Sequence, residues 1–292
     1  MVILLTGRSG YIGRNLHEQM AGRYKILAPL RQELDLMDSD GVRRYLEQHL
    51  VDAVIHCATT PGHRNAPLVP DLAARNIRMF LNFARSRHLF RKMIYLGSGA
   101  IYDMRYYTPR VREDDYDNHV PVDDHGFSKY VIAKLVQSCD NIVELRLFGV
   151  FGKYEDYAIR FISNAICKAL YGLPITLKQN RRFDYVYVDD LTQVIDHFLH
   201  NQWIHKCYNV TSDETIELKA VAELVKESAA RDIDIVIQQP GLGLEYSGDN
   251  ARLKSAMGKL PFAPLSVSVK KLFKWYKENF DSIDKTKLLV DR

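Results

Sequence analysis

The chain has 292 residues, of which 47% are hydrophobic and 26% are charged, and its formal net charge at pH 7 is +4. This composition is sufficient for a large buried core in one elaborated domain or in two. Because the chain has neither a basic tract nor an apolar stretch of about 18 residues, nucleic acid and membranes are excluded as partners, and a cytoplasmic protein that binds small anionic molecules is expected.

The chain begins with a glycine-punctuated turn between an apolar run and a helical pattern. Residues 2–5 predict a strand, residues 15–20 predict a helix, and three glycines lie between them at intervals of three. Glycine lets the backbone approach a ligand closely, and the free amides of a helix N-terminus favour an anion. We therefore predict that a dinucleotide pyrophosphate binds here. The predicted contacts are Gly7, Arg8, Ser9, Gly10, Tyr11, Ile12 and Gly13.

The second predicted strand, residues 24–31, has no acidic residue at its end. Asp or Glu usually stands there when the cofactor has a free ribose, because a carboxylate accepts hydrogen bonds from the ribose hydroxyls. Arg31 stands there instead, and Arg8 lies inside the glycine turn, so two guanidiniums can bind a 2′-phosphate. The pattern predicts NADP(H) rather than NAD(H). The alternative is that both arginines are solvated surface charges.

Apolar runs and helical patterns alternate through most of the chain. Strands are predicted over residues 52–57, 92–97, 141–147 and 185–188, and helices over residues 39–49, 71–88, 128–138, 191–200 and 219–229. Such alternation requires right-handed crossovers and a parallel sheet. The predicted fold is an α/β Rossmann doubly wound parallel sheet with a small C-terminal α/β substrate lobe over its carboxyl edge. Residues 1–152 and 183–210 are assigned to the NADP-binding domain, and residues 153–182 and 211–292 to the lobe.

The glycine turn and two later segments carry a resemblance to a known family. Thr6 precedes the turn, and Tyr11 and Ile12 precede its last glycine. This pattern resembles the extended short-chain dehydrogenases/reductases, which are NAD(P)-dependent nucleotide-sugar epimerases, dehydratases and reductases, and within them the GDP-L-fucose synthase and dTDP-4-dehydrorhamnose reductase branches. Residues 207–211 and 275–279 are similar to the family's sugar-nucleotide lobe. The resemblance covers nearly the whole chain and implies reduction or epimerisation of a nucleotide-linked sugar.

The resemblance also implies cofactor contacts beyond the turn. The stretch after the second strand is similar to the one in which an acid and an apolar residue of the family hold the adenine, and these roles fall to Asp35 and Leu36. Ala58 and Thr59, directly after the third predicted strand, are expected beside the cofactor as well. The alternative for Asp35 is that it caps the helix that follows it.

Catalysis by a nicotinamide needs a hydrogen-bond donor on the substrate oxygen, a proton source and a cation that fixes the ribose. The family supplies these as Ser or Thr, Tyr and Lys. Ser98 matches the serine, and residues 125–129, His-Gly-Phe-Ser-Lys, match the family's Tyr-Gly-x-Ser-Lys. Lys129 is retained, and the tyrosine is replaced by His125, a residue type that titrates near neutrality. The resemblance thus implies that Ser98, His125 and Lys129 are catalytic and that Lys129 also binds the cofactor.

A second frame satisfies the Tyr-x-x-x-Lys spacing with Tyr130 and Lys134. Ala133 and Leu135 match the family's helix only when His125 is in register with the missing tyrosine, and we therefore favour the first frame. Tyr130 and Lys134 are then an aromatic ring and an alkyl stem packed on one helical face.

Substrate contacts are expected at Ser98, Gly149, Arg181 and Arg182. Gly149 stands where relatives usually have Asn, and either arginine can clamp a diphosphate, with solvated surface charges as the alternative. Ala100 occupies the place of a cysteine that serves epimerisation in GDP-L-fucose synthase, which argues against that double epimerisation. The nucleotide, the sugar and the choice between reduction and epimerisation stay open.

Two functions remain. The first is an NADP(H)-dependent nucleotide-sugar oxidoreductase or epimerase, which the retained Ser98 and Lys129 favour and which we predict. The second is a catalytically weak or silent relative that binds NADP and a nucleotide sugar as a regulatory or partner subunit, which the lost tyrosine favours.

A homodimer is also expected, through the helices predicted over residues 71–88 and 128–138. Their apolar residues exceed what one sheet face can cover, and relatives dimerise there. These residues are Ile77, Phe80, Leu81, Val131, Leu135 and Val136. Four cysteines stand singly in apolar segments, so we expect reduced thiols and no metal centre.

Overall fold

The computed structural model describes residues 1–62 and 68–289. The strands are β1 Val2–Thr6, β2 Lys25–Leu27, β3 Ala53–His56, β4 Lys92–Ser98, β5 Ile142–Leu147, β6 Gly149–Phe151, β7 Ile175–Asn180, β8 Arg182–Tyr187, β9 Cys207–Val210, β10 Thr215–Glu217 and β11 Ile235–Leu242. The α-helices are α1 Tyr11–Met20, α2 Ser39–His49, α3 Leu72–Arg85, α4 Asp124–Gln137, α5 Phe161–Leu170, α6 Val188–His200, α7 Leu218–Ala229, α8 Ala251–Met257 and α9 Leu265–Glu278.

Six strands form a parallel sheet in the order β2-β1-β3-β4-β5-β9. The predicted α/β fold is therefore confirmed. From β1 the chain goes to one side for β2 and to the other for β3, so the strand order reverses at β1. Ligands of open α/β sheets bind outside the carboxyl ends of the strands at such a reversal, which here lies between the ends of β1 and β3.

The central strands are buried because helices cover both faces of the sheet. In β1, Ile3 and Leu5 belong to the same core cluster as residues of α1 and α6, whereas Leu4 belongs to the cluster formed with α2 and α3. Side chains of a strand alternate between its faces, so this short apolar run contacts both helical layers. The result is a rigid support for the loops at the carboxyl edge of the sheet.

A second layer has two small sheets and its own core. Strands β6, β8 and β10 form one sheet, β7 and β11 form the other, and α5, α7 and α9 pack on them. The chain passes between the large sheet and this second layer more often than the predicted domain boundaries state. Strands β6 and β8, assigned to the first domain, pair in the second layer, whereas Leu253 of α8, assigned to the lobe, packs into the core of the large sheet.

Asp38, rather than Asp35, caps α2, because its carboxylate accepts a hydrogen bond from the amide of Asp40 at 3.1 Å. The carboxylate of Asp35 instead accepts one from the amide of Met37 at 3.0 Å. Strand β2 ends at Leu27, so Arg31 lies in the loop between β2 and α2. No helix in residues 1–62 and 68–289 has the length and apolar character needed to cross a membrane.

Candidate active site

The glycine turn has the backbone geometry of a pyrophosphate cradle. Gly7 adopts a positive φ of 74°, and its carbonyl accepts a hydrogen bond from the amide of Gly10 at 3.0 Å. A Cβ at Gly13 would overlap the Gly7 carbonyl, and a Cβ at Gly7 would lie 2.8 Å from the amide nitrogen of Ala58. Side chains are therefore excluded where the turn approaches both α1 and the loop after β3.

A cleft of about 730 Å³ opens from this turn. Its walls include all twelve cofactor contacts that were predicted outside α4, from Gly7 to Thr59. The hydroxyl of Thr6, at the end of β1, links this strand to the end of β3. It accepts a hydrogen bond from the amide of Ala58 at 3.2 Å and lies 3.0 Å from the Nδ1 of His56. The predicted cofactor residues thus lie together at the point where the strand order reverses.

Two arginines that line this cleft are the predicted contacts of a ribose phosphate. The Arg31 guanidinium is 73% exposed and 3.9 Å from the Asp35 carboxylate, so a phosphate can compete for it. Arg8 lines the same cleft from the turn. Arg75 of α3, which was not predicted, also lines the cleft, and its Nε is buried without a hydrogen-bond partner among the described residues. In the sequence Arg75 is one arginine on an amphipathic helix, and this pattern is too common to mark a functional residue.

A second cleft of about 580 Å³ continues from the first. The two clefts share Tyr11, Ile12, Cys57, Thr59 and Pro61. Ser98, His125, Lys129 and Gly149 line the second cleft, which thus contains the predicted catalytic residues and two of the predicted substrate residues, Ser98 and Gly149. We refer to this second cleft as the substrate cleft.

The catalytic candidates come from two elements. Ser98 ends β4, and its Oγ accepts a hydrogen bond from the amide of Ala100 at 3.1 Å. His125 and Lys129 lie in the first turns of α4, four residues apart and therefore on one face. Helix α4 begins there because the Asp123 carboxylate accepts a hydrogen bond from the amide of Gly126 at 2.8 Å.

Lys129 is buried at the base of the cleft. Its Nζ donates hydrogen bonds to the Tyr95 hydroxyl at 2.9 Å and to the carbonyl of Leu96 at 3.3 Å. Burial lowers the pKa of Lys129 to about 8, although the buried carboxylate of Glu144 opposes this change. The ammonium group is thus held at a fixed position and is mostly charged at neutral pH.

The alternative frame lies outside the cleft. The Tyr130 hydroxyl donates a hydrogen bond to the Asp117 carboxylate at 2.8 Å, and the Nζ of Lys134 pairs with the same carboxylate at 2.5 Å. Neither residue is among the described residues that line either cleft. The geometry therefore favours the frame in which His125 and Lys129 take part.

The two predicted diphosphate arginines do not line the substrate cleft. Arg182 begins β8 and pairs with Glu217 of β10 at 3.3 Å, and Arg181 lies near Gly243. Arg160, at the start of α5, lines the cleft instead. It stands in a segment where the sequence shows no motif, so only the fold could place it in the same cleft as Ser98.

Glu155 also lines the substrate cleft, and its carboxyl group is buried. Burial raises its pKa to about 7, while the hydrogen bond from the Ser163 hydroxyl, 2.7 Å long, and the charge of Arg160 oppose the rise. In the unfolded chain a glutamate ionises near pH 4.5, so between pH 4.5 and 7 the folded state holds a proton that the unfolded state has lost.

Replacing Glu155 with glutamine is therefore expected to stabilise the protein at alkaline pH. The free energy of unfolding of Glu155→Gln should equal that of the wild type near pH 4.5 and exceed it by about 3 kcal/mol at most at pH 8. Urea unfolding at both pH values measures this difference. The exposed Glu227→Gln serves as the control and should show the same small difference at both. An equal effect of Glu155→Gln at the two pH values would contradict a raised pKa.

The described residues contain no group of three or more His, Cys, Asp or Glu side chains that could hold a metal ion. All four cysteines are free thiols.

Comparison with known proteins identifies the family. GDP-L-fucose synthase of Azorhizobium caulinodans is 31% identical over 154 residues, which cover 50% of this chain and 48% of that protein. Methionine adenosyltransferase 2 subunit beta of Danio rerio is 24% identical over 292 aligned positions, covering 91% of this chain and 85% of that protein.

The fold matches that of MlghC, a GDP-mannoheptose C4 reductase from Campylobacter jejuni with NADP bound, with a TM-score of 0.81, 20% identity and coverage of 94% of this chain and 98% of that one. A model of the NAD dependent epimerase/dehydratase family matches residues 3–211, which include the glycine turn, Ser98 and Lys129. The resemblance drawn from the glycine spacing is thereby confirmed: the chain belongs to the NAD dependent epimerase/dehydratase family.

Proposed function

We propose that this protein is an NADP(H)-dependent oxidoreductase or epimerase of a nucleotide-linked sugar. The observation that carries the proposal is the continuity of the two clefts, which brings Ser98, His125 and Lys129 next to the glycine turn. Relatives that act on nucleotide-linked sugars and a similar fold with NADP bound support it.

The residues of the first cleft fit this cofactor. A pyrophosphate needs free amides and close backbone approach, and the crowding at Gly7 and Gly13 leaves space only for backbone. Arg8 and Arg31 offer positive charge at the end of the cleft where Asp35 and Leu36 would contact the adenosine.

When bound, the nicotinamide supplies or accepts the hydride. In our proposal the Ser98 hydroxyl donates a hydrogen bond to the substrate oxygen. In the direction of reduction, protonated His125 donates a proton to that oxygen, directly or through a water; in oxidation, neutral His125 accepts it. Lys129 holds the nicotinamide ribose, and Arg160 binds the diphosphate of the substrate in place of Arg181 and Arg182.

The function can be tested with NADPH and a panel of GDP-linked and dTDP-linked 4-keto sugars. Loss of NADPH absorbance with formation of the reduced sugar indicates a reductase, and a changed sugar without net NADPH loss indicates an epimerase. Mass spectrometry of ligands that co-purify with the protein would guide the panel.

A second candidate is a regulatory or partner subunit that binds NADP and a nucleotide sugar without turning over the sugar. Two points support it: in the favoured register His125 stands in place of the family's catalytic tyrosine, and one relative is named as a subunit of another enzyme. Tight binding of both ligands without turnover on any member of the panel would establish this function and overturn the first.

We expect NADP(H) to bind more tightly than NAD(H), because the exposed Arg31 guanidinium, 3.9 Å from Asp35, can exchange that contact for a 2′-phosphate. Arg31→Ala should weaken NADP binding by about 10- to 100-fold, the loss of one or two charge-assisted hydrogen bonds, and leave NAD binding unchanged. Titration of both cofactors measures this. Arg43, an exposed arginine on α2 outside the cleft, provides the matched control Arg43→Ala. Equal affinity of the wild type for the two cofactors would contradict the prediction.

We also propose a homodimer through α3 and α4, which pack side by side on one face of the sheet. Phe80 and Val136 are fully buried within the chain and are not available to a partner. Leu81, Val131 and Leu135 remain partly exposed and would form the interface. Light scattering at micromolar concentration should give twice the chain mass of 33.7 kDa; a mass of 33.7 kDa would contradict the dimer.

A further inference from the structure

Tyr246, in the C-terminal part of the chain, lies close to Ser98. Tyr246 lies between β11 and α8, beyond residues 3–211 that match the family. It lines the substrate cleft together with Ser98 and Phe148. A Cβ at Gly99, next to Ser98, would collide with the Tyr246 hydroxyl oxygen. The phenol therefore reaches the backbone that carries the serine.

The Tyr246 side chain is held in this position on several sides. Its amide donates a hydrogen bond to the carbonyl of Arg182 at 2.9 Å, which attaches this segment to β8. Its ring centroid lies 5.2 Å from those of Phe148 and Tyr107 and 5.5 Å from that of Phe183. Such aromatic packing fixes a ring without constraining the hydroxyl at its tip.

The phenol remains protonated at neutral pH. Burial raises the pKa of Tyr246 far above its ordinary value, and the charge of Asp184 raises it further, whereas a side-chain hydrogen bond with Ser98 opposes the rise. A protonated phenol is a hydrogen-bond donor, and the hydroxyl of the half-buried Tyr246 can donate to an acceptor on the cleft wall.

Ser98 offers that acceptor. A serine hydroxyl has two lone pairs and one proton, and the amide of Ala100 occupies one lone pair at 3.1 Å. If the Tyr246 phenol donates to the other, both lone pairs are filled. The proton of Ser98 then has to point away from both donors, into the cleft where the substrate oxygen would lie.

We propose that Tyr246 is a positioning residue that fixes the direction of the Ser98 hydroxyl and so replaces part of the constraint lost with the family's tyrosine. It acts through Ser98 and does not transfer the proton, which stays with His125. This inference rests on the proposed function, because it requires a substrate oxygen at Ser98.

The test is a double-mutant cycle of Tyr246→Phe and Ser98→Ala, with turnover, KM and NADPH affinity measured for each protein. Tyr246→Phe should lower kcat by ~10- to 100-fold, less than the loss of a direct oxyanion donor, and leave KM and NADPH affinity within a factor of about 2. In the Ser98→Ala background, Tyr246→Phe should have no further effect on kcat, because the hydroxyl it orients is gone.

Tyr107→Phe is the matched control. Tyr107 packs in the same aromatic cluster, and its buried hydroxyl has no hydrogen-bond partner among the described residues. Removal of the Tyr107 hydroxyl should leave kcat unchanged. This result would distinguish the effect of the Tyr246 hydroxyl from an effect of packing in the aromatic cluster. Unchanged kcat in Tyr246→Phe, or effects of the two substitutions that multiply in the double variant, would overturn the inference while the enzyme function stands. A wild type without turnover on any substrate would overturn both.

Discussion

Gly13→Ala is expected to weaken NADP binding by more than about 100-fold, or about 3 kcal/mol. The added Cβ would overlap the carbonyl of Gly7, which is backbone and cannot rotate away like a side chain. Gly7 is itself held at a positive φ and in contact with Ala58, so the turn has no direction in which to relax. The free amides that would bind the pyrophosphate are therefore displaced.

Substitutions at two further glycines serve as comparisons for this prediction. A Cβ at Gly10 would lie 3.3 Å from the same carbonyl, and Gly10→Ala should cause a smaller loss of affinity. Gly22, just beyond the C-terminal end of α1, has no heavy atom within 4 Å of an added Cβ, so Gly22→Ala should bind NADP as the wild type does. Calorimetric titration measures the three affinities, and thermal unfolding shows whether each variant is folded. Wild-type affinity in Gly13→Ala would contradict a pyrophosphate site at this turn.

His125→Phe is expected to lower turnover by ~10²- to 10⁴-fold, as for the loss of a general acid or base, and to leave NADP affinity nearly intact. The imidazole lines the substrate cleft, where a Cβ on Gly62 would lie only 2.8 Å from the Cβ of His125. For sugar reduction the protonated ring is the donor, so wild-type turnover should fall as a rise in pH deprotonates the imidazole. That pH dependence should disappear in the variant.

The control for this experiment is Tyr130→Phe. The Tyr130 hydroxyl is bound to Asp117 away from the cleft, so its removal should leave turnover unchanged. His125→Tyr introduces a phenol at the position that we propose corresponds to the family's tyrosine, and it is expected to raise activity if the cleft accepts the longer side chain. Steady-state rates across the pH range measure all three variants. Full activity of His125→Phe together with a loss in Tyr130→Phe would favour the other frame.

The sequence predicted best those features whose physical cause is local. The helix Ser39–His49 has the predicted bounds, because its amphipathic pattern and its N-terminal turn are complete within the segment. The glycine turn could be recognised because spacing alone allows close backbone approach. Seven of the twelve predicted cofactor residues that line the first cleft belong to this turn.

Features that depend on distant segments were not predicted. Strand β8 has the composition of a strand of the large sheet, but it pairs with β6 and β10, and strand pairing leaves no mark in a single strand's sequence. Arg182 was predicted to clamp a diphosphate, although strand pairing places it opposite Glu217. Arg160, Glu155 and Tyr246 reach the substrate cleft from segments without a motif, so only the tertiary fold identifies them.

The way the chain passes between the layers limits how specificity can be engineered. The chain enters the second layer at β6, again after β9, and a third time after α8, which packs on the large sheet. The second layer is therefore not a unit that can be replaced by that of a relative through one junction. A transplant that ran through α8 would place a foreign α8 against the native core that Leu253 fills. Chimaeras therefore need five matched junctions, three into the second layer and two back to the large sheet, or else point changes confined to the cleft wall.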